Sequence, residues 1–451
     1  MRNIELRIGR EAYRDEGIAD MALYEDGTRL CALDIQYSLL RELRNANPTP
    51  LDLVILASAV YALDKTIVRV TAEDGWTREI SLSMPVSDPV RWNAAAPELA
   101  EAITFLTGDR WRFAFLPLSR PVVLPRRGLR RAQRQIVIPV SALDTVCLFS
   151  GGLDSLVGAI DQLQQEKASK LLLVGHHDGD MAGPFADQRS LIEPLRVAYP
   201  QRLRPVFVRV GQKPSGEEIT LRSRSLLFIA LGIYAASTIG PETPLLIPEN
   251  GTISLNFPLT PSRRGSCSTR TAHPYYLGVL RRALRSVGFA NRLVNPLEAK
   301  TKGEVVRDCA NSKLLARLAP LTVSCAKRSR RGHWKRTTAR SCGQCMPCIY
   351  RRAALHLTGG DDEVYGNDVC AGDVDVSGND DAGKDFRAYL SLLRRNPSSQ
   401  EIANTLMASG PLDIGRLRGY SSLVQRAMDE IRNLLRAKGT IAIQRAAGMK
   451  R

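Results

Sequence analysis

"TVCLFSGGLDSLVGAIDQL", Thr145 to Leu163, decides how the rest of the chain is read. The apolar run Val146 to Phe149 has the length of a buried strand. It stops at Ser150-Gly151-Gly152, and a helical pattern starts near Leu153 and Asp154. A strand that feeds a helix through two glycines leaves the first helical N–H groups pointing back at the turn. Those free amides, with the positive end of the helix dipole, make an anion site. Gly151 and Gly152 permit the tight turn and leave room for phosphate oxygens beside the backbone. Ser150 and Ser155 add hydroxyl donors, and Asp154 can hold the turn or help position Mg2+. The stretch is not a Walker A loop, because the closing Gly-Lys-Ser/Thr is missing.

Outward from this turn, apolar runs alternate with helical patterns from 140 to about 358. The runs are "TVCLF", "KLLLVGHH", "LRPVFVRV" and "PLLIPEN". The helical segments are "DSLVGAIDQLQQ", "DQRSLIEPLRVAY" and "SRSLLFIALGIYAAS". This alternation predicts an α/β fold with a doubly wound parallel sheet, whose ligands sit at the carboxyl ends of the strands. His177 and Asp178 follow the second strand, and Glu249 and Asn250 follow "LLIP", so all four fall at that edge.

The chain has 451 residues, enough for two or three domains. Residues 1–118 read as an N-terminal α/β unit. Its helices are "PTPLDLVILASAVYALD" and "APELAEAITFLTGD", and its strands are "TIVRV", "TREISLSMPV" and "RWRFAFLPL". Trp76, Trp92 and Trp111 are expected in the core or on a partner face. A basic linker covers 119–139, including the strap "PVVLPRRGLRRAQR", Pro121 to Arg134. A Gly/Asp-rich linker covers 359–384, without the spacing of an EF-hand. A small amphipathic helical region fills 385–451.

Charged residues are 24% and hydrophobic residues 44%, as in soluble globular proteins. The longest apolar run, Ser225 to Ser237, is too short to span a bilayer. The N-terminus has no apolar signal-peptide core. These features predict a cytoplasmic protein with no membrane role. The formal charge of +17 suits a polyanionic ligand, a nucleic acid or an acidic protein partner, and suits a merely well-solvated surface equally.

The second signal is "TVSCAKRSRRGHWKRTTARSCGQCMPCIYRR", Thr322 to Arg352. Cys342, Cys345 and Cys348 stand at two-residue spacings, and Cys325 can supply a fourth thiolate. Four thiolates make a closed, structural Zn2+ site. An iron–sulfur cluster and free thiols are the alternatives, and the Cys-Pro of the bacterial ferredoxin run is absent. His333 reads as solvated. Lys327, Arg328, Arg330, Arg331, Lys335, Arg336 and Arg340 form a basic insert that either faces an acidic ligand or is simply solvated.

The hexapeptide "SGGLDS" resembles the PP-loop of the ATP pyrophosphatase superfamily, enzymes that cleave ATP between the α- and β-phosphates. Together with the cysteines about 175 residues later, it resembles the 7-cyano-7-deazaguanine synthase (QueC) family. "NPLEAKTKGEVV" is similar to that family's Thr-Lys-x-Glu segment, with Thr301, Lys302 and Glu304. "RSRSLLFIALG" stands where the family has an Arg-Asn-x-x-Phe-Leu helix, with Arg224 and Ser225 in those places. "VSC", "CGQC" and "CIYR" match its zinc cysteines and Arg351. The match covers Val140 to Leu357. "GHHDGD" and "NFPLTPSRRGSCSTRTAHPYY" depart from the family's substrate segments. The extra terminal regions resemble the longer QueC-like proteins of the Qat anti-phage defence system, the QatC group.

The resemblance implies ATP-dependent activation of a 7-deazaguanine carboxylate and its transfer to an amine, releasing AMP and pyrophosphate. It implies ATP, Mg2+ and Zn2+ as cofactors. Ser150, Gly151, Gly152, Leu153, Asp154 and Ser155 would hold phosphates, and Lys302 would neutralise charge developing on them. His177, Asp178, Arg224, Glu249 and Asn250 would line the nucleotide or substrate, with Lys302 and Asp154 as the catalytic pair. The acceptor is ammonia or an amine of a companion protein from the same defence system. The rival readings are a tRNA-modifying PP-loop enzyme using Cys267 or Cys309, and a non-catalytic nucleotide-binding module.

Overall fold

The computed structural model describes residues 1–9, 21–36, 43, 45, 47–119, 122, 138–178, 183–260, 270–378 and 383–449. Ten strands form one sheet: β1 (Arg2–Ile8), β2 (Met21–Glu25), β3 (Thr28–Ile35), β4 (Glu79–Val86), β5 (Arg110–Pro117), β6 (Thr145–Leu148), β7 (Leu171–His177), β8 (Leu203–Lys213), β9 (Leu245–Leu246) and β10 (Leu293–Val294). Their order is β10-β9-β6-β7-β8-β3-β2-β1-β4-β5. The half from β10 to β8 is entirely parallel, as expected. β8, β3, β2 and β1 are joined antiparallel, and β1, β4 and β5 run parallel.

The parallel half is buried on both faces, which is why its strands read as continuous apolar runs. Val146, Leu148, Leu172 and Val174 face one core with the helix Arg224–Ile239. Cys147, Phe149, Leu171 and Leu173 face the other, with Leu153–Gln165 and Pro184–Ala198. Helices on both faces of a parallel sheet are the doubly wound arrangement the strand–helix alternation predicts.

The N-terminal unit is fused to this sheet rather than linked to it. β8 pairs with β7 over Leu203 to Arg209 and with β3 over Val210 to Lys213. The helix Thr49–Thr66 is buried along most of its length and shares a core with Arg224–Ile239. A buried ionic cluster ties the two parts together. Arg78 pairs with Asp64 and Asp109, each at 2.6 Å, and Arg69 pairs with Asp109 at 2.8 Å. Asp64 also accepts from Ser223 Oγ at 2.8 Å, at the start of the Arg224 helix.

That cluster corrects one element. "TIVRV" was expected as a strand, but it is the end of a helix followed by a 3-10 turn, Arg69–Thr71. Arg78 Nη1 reaches the carbonyls of Asp64 and Ile67, and Arg69 turns inward to Asp109, so the backbone folds around the charges instead of extending. Trp92 and Trp111 are core residues, while Trp76 is exposed and lies against Arg69 and Arg222.

The C-terminal helices Lys384–Arg395, Ser399–Ser409 and Leu417–Lys438 pack with Phe257, Leu259, Ile349 and Tyr350 in one core, so the tail is docked on the body. The described part of the Gly/Asp-rich segment is docked as well. Asp361 and Asp368 pair with Arg352, and Asp373 pairs with Lys335 and Arg336. The strap over 121–134, apart from Val122, lies outside the described residues. No helix among the described residues is long and apolar enough to cross a membrane.

Candidate functional site

β6 delivers the chain to Ser150, and Phe149 N–H donates to Val174 O at 2.7 Å. Gly151 then takes φ +82°, a conformation that side chains rarely adopt, and a Cβ there would press on Gln188 N at 3.1 Å. Gly152 precedes the helix Leu153–Gln165, whose first turn has no side-chain cap. The turn closes on itself through Gly152 N to Ser150 Oγ at 3.2 Å and Ser155 Oγ to Gly152 O at 2.9 Å. Uncapped amides and two hydroxyls therefore meet at the carboxyl end of the central strand, as expected.

Asp154, Glu249, Asn250 and Lys302 come together beside this mouth. Lys302 begins the helix Lys302–Arg307 and sits 2.8 Å from Asp154 Oδ1. Asn250 Nδ2 donates to Asp154 Oδ2 at 2.7 Å. Burial pulls the Asp154 carboxyl up, but the Lys302 charge and the hydrogen bonds from Lys302 and Asn250 outweigh it and hold it below the usual range. Burial and the neighbouring Asp154 charge push Glu249 well above the carboxylate range, against the pull of Lys302. The same surroundings thus push the two carboxyls in opposite directions, Asp154 down and Glu249 up. Both Asp154 oxygens accept hydrogen bonds, one from Lys302 and one from Asn250. Its place is to anchor the lysine.

Glu430, in the helix Leu417–Lys438, was not foreseen. It accepts from Thr301 Oγ1, and from Gly303 N at 3.1 Å, on either side of Lys302. Arg426 of the same helix holds Glu304 at 2.7 Å. The docked tail therefore braces the turn that carries the lysine. A tail charge with no local motif gave nothing to read in one dimension.

His177 and Asp178 were expected at that edge, with Arg224 a nucleotide or substrate contact by resemblance, and strand alternation sets His177 apart from the other two. His177 turns toward Phe185, with ring centroids 4.5 Å apart. His176 faces the other side, between Tyr61 and Phe228. Arg224 donates to His176 Nδ1 at 3.2 Å and to its carbonyl at 2.9 Å. Burial, then the Arg224 charge, push His176 down to about 3, so its ring is neutral. Asp178 accepts from Tyr61 OH at 2.6 Å and Lys65 Nζ at 3.2 Å, both from the N-terminal unit. Gln188 links this cluster to the glycine turn: its backbone lies against Gly151, and its Nε2 donates to His176 O at 3.2 Å.

Cys325, Cys342, Cys345 and Cys348 place their sulfurs within 4.8 Å of one another. Four thiolates bound to Zn2+ stand about 3.8 Å apart, from bond lengths of about 2.3 Å. The Cys342–Cys348 separation is 3.8 Å. Backbone N–H groups of Lys327 and Cys342 point at Cys325 Sγ, and that of Cys345 at Cys342 Sγ. These residues can hold a metal such as zinc, which would supply structural cross-linking with no open coordination position. His333 is exposed, and Cys309 lies outside this group.

The metal loop bears on the glycine turn. Val323 N donates to Gly151 O at 3.2 Å, and Ser324 Oγ, buried and without a partner among the described residues, lies beside Gly152. Arg351 fixes the same segment through Thr322 Oγ1 at 2.6 Å and Ala319 O at 2.7 Å. Among the described residues, five of the insert's seven basic side chains pair with three aspartates. Arg328 and Arg340 pair with Asp187, Lys335 and Arg336 with Asp373, and Lys327 with Asp385. Burial pushes Cys309 up to about 12, which does not suit a nucleophile. Cys267 and Asp180 lie outside the described residues.

No family model, curated protein or solved structure matches this chain.

Proposed function

We propose that this chain is an ATP-dependent C–N ligase of the QueC-like PP-loop type, acting on a 7-deazaguanine-type carboxylate. The observation that carries the reading is the buried Lys302–Asp154 pair standing beside the uncapped helix that follows Ser150-Gly151-Gly152. Free amides suit the oxygens of a polyphosphate. A fixed ammonium suits the charge that builds on the α-phosphate and the leaving pyrophosphate.

In the first step a substrate carboxylate oxygen attacks the α-phosphorus of ATP. The bond from that phosphorus to the bridging oxygen breaks, and pyrophosphate leaves. In the second, an amine attacks the acyl carbon, AMP departs with the carboxylate oxygen, and the amine loses a proton. Asp154 and Asn250 keep Lys302 in place, Thr301 and Glu430 fix its backbone, and Ser150 and Ser155 offer hydroxyl donors.

The test is nucleotide product analysis with the metal-loaded full chain, Mg2+, ATP and 7-carboxy-7-deazaguanine. AMP and pyrophosphate whose formation depends on the deazapurine and is lost in Lys302→Met support the reading. ADP, or AMP formed equally by Lys302→Met, overturns it.

A further inference from the structure

The segment that runs from Ala319 into the metal loop is tied down along its length. Arg351 donates to Ala319 O at 2.7 Å and Thr322 Oγ1 at 2.6 Å, and Arg340 donates to Pro320 O at 2.8 Å and Leu321 O at 3.0 Å. Val323 N–H donates to Gly151 O at 3.2 Å, and Cys325 Sγ accepts from Cys342 N at 3.3 Å. The Ser324 hydroxyl stands apart in this fixed segment. Its Oγ is buried and has no hydrogen-bond partner among the described residues. A buried polar atom without a partner destabilises the free protein.

That hydroxyl lies at the glycine mouth. A Cβ on Gly152 would lie 3.8 Å from Ser324 Oγ, 3.6 Å from Val323 O and 3.2 Å from Ser150 Oγ. Gly152 leads into Leu153–Gln165, a helix of 13 residues whose first turn has no side-chain cap. An anion held by its free amides therefore comes next to Ser324. The two serines of the turn are already committed. Ser155 donates to Gly152 O at 2.9 Å and Ser150 to Ser155 Oγ at 3.3 Å, so each gives up a bond to reach a ligand. Ser324 gives up none. The residue as a whole is partly exposed, and a change of χ1 rotamer brings its hydroxyl out of the sealed position with no movement of the backbone. Val323 O is an acceptor and repels an anion placed against it, which leaves the serine side of Gly152 for the approach.

We propose that Ser324 is a further phosphate-binding residue, which turns its hydroxyl onto an oxygen of the pyrophosphate part of ATP. That part carries the most charge, and a helix N-terminus favours it for the same reason. The identity of the anion rests on the adenylation reading. The metal loop becomes a wall of the nucleotide site, because Cys325 fixes the residue next to the donor. The hydroxyl then acts with opposite signs on stability and on binding: it destabilises the empty protein and strengthens the complex.

The experiment compares the metal-loaded full chain as wild type, Ser324→Ala and Ser421→Ala. Ser421 Oγ is also buried and without a partner among the described residues, but it belongs to the tail helix Leu417–Lys438. Urea midpoints are read for all three, and calorimetry measures binding of inorganic pyrophosphate, ATP with Mg2+, and AMP. Ser324→Ala is expected to bind pyrophosphate and ATP about 10–100-fold more weakly, the size of a hydrogen bond to a charged group, and AMP within about threefold. Its urea midpoint is expected to be no lower than wild type. Ser421→Ala likewise keeps or raises the midpoint and leaves all three affinities unchanged. Pyrophosphate binding unchanged in Ser324→Ala, or weakened as much in Ser421→Ala, overturns the proposal. So does a lowered midpoint in Ser324→Ala, which would reveal a structural bond. Equal weakening of AMP overturns the assignment to pyrophosphate. A wild type whose pyrophosphate binding depends on Ser324, but which forms no AMP from ATP and 7-carboxy-7-deazaguanine, overturns the adenylation reading and leaves the contact standing. A wild type that binds neither pyrophosphate nor ATP overturns both.

Discussion

Asp154→Asn, Lys302→Met and the double variant test the buried pair from both sides. Lys302 is 4% exposed and Asp154 7%, so neither charge can turn to water when its partner is removed. Lys302→Met leaves Asp154 with Asn250 alone, beside Glu249, and is expected to cost about 3–5 kcal/mol. Asp154→Asn costs less, about 1–3 kcal/mol, because the Asp154 charge helps push Glu249 up, and without it Glu249 ionises more readily beside the lysine. The double variant removes both charges and should cost about 0–2 kcal/mol. The two singles together then exceed the double by several kcal/mol, a strongly coupled cycle. Urea unfolding of the full chain measures each term from the midpoint at unchanged slope. Additive single effects, or singles below about 1 kcal/mol, would refute the claim that the pair is buried and mutually dependent.

Further outcomes follow from the same geometry. Cys342→Ser is expected to lower the bound metal measured by elemental analysis. It should also weaken ATP binding in calorimetry, because the segment ending at Cys325 lies on the glycine turn; metal loss with unchanged ATP affinity would separate the two sites. Glu430→Ala strips the acceptor from Thr301 Oγ1 and Gly303 N, leaving buried donors at about 1–3 kcal/mol each, and should lower kcat for AMP formation more than it raises KM for ATP. Gly151→Ala forces a side chain into a left-handed turn at about 1–2 kcal/mol and should reduce ATP affinity more than carboxylate affinity. Burial lowers the pKa of His176 and His273 to about 3. Below about 6.5 the unfolded chain takes up protons that the native one refuses, so stability rises with pH between about 3 and 6.5 and is flat above. Each histidine contributes about 2 kcal/mol of loss between pH 7 and 5, to be read as a falling urea midpoint that is halved in His176→Gln.

How much of this was legible in one dimension depended on sequence distance. The glycine mouth and the cysteine spacing were local, so their residues could be named at once. The parallel half was legible because strands buried on both faces read as unbroken apolar runs. β1, β2 and β3 carried weaker alternation, and their role as the bridge between two α/β units depends on the length of β8, which no local pattern announces. "TIVRV" has β-branched residues, yet two arginines drawn into a buried cluster overrode that propensity. Choosing His177 over His176 was a question of which face of β7 lies toward the Arg224 helix. Glu430, Tyr61 and Lys65 reach the site from more than a hundred residues away, and only their contacts reveal them.

The central claim is that a substrate carboxylate is adenylated beside Lys302. The most direct measurement uses 7-carboxy-7-deazaguanine labelled with 18O in the carboxylate, turned over with ATP and an amine source, with mass spectrometry of the AMP. Transfer of one heavy oxygen into AMP is the predicted result, because the attacking oxygen stays on phosphorus when the amine displaces it. Unlabelled AMP, or no AMP from the folded, metal-loaded chain, would contradict the account.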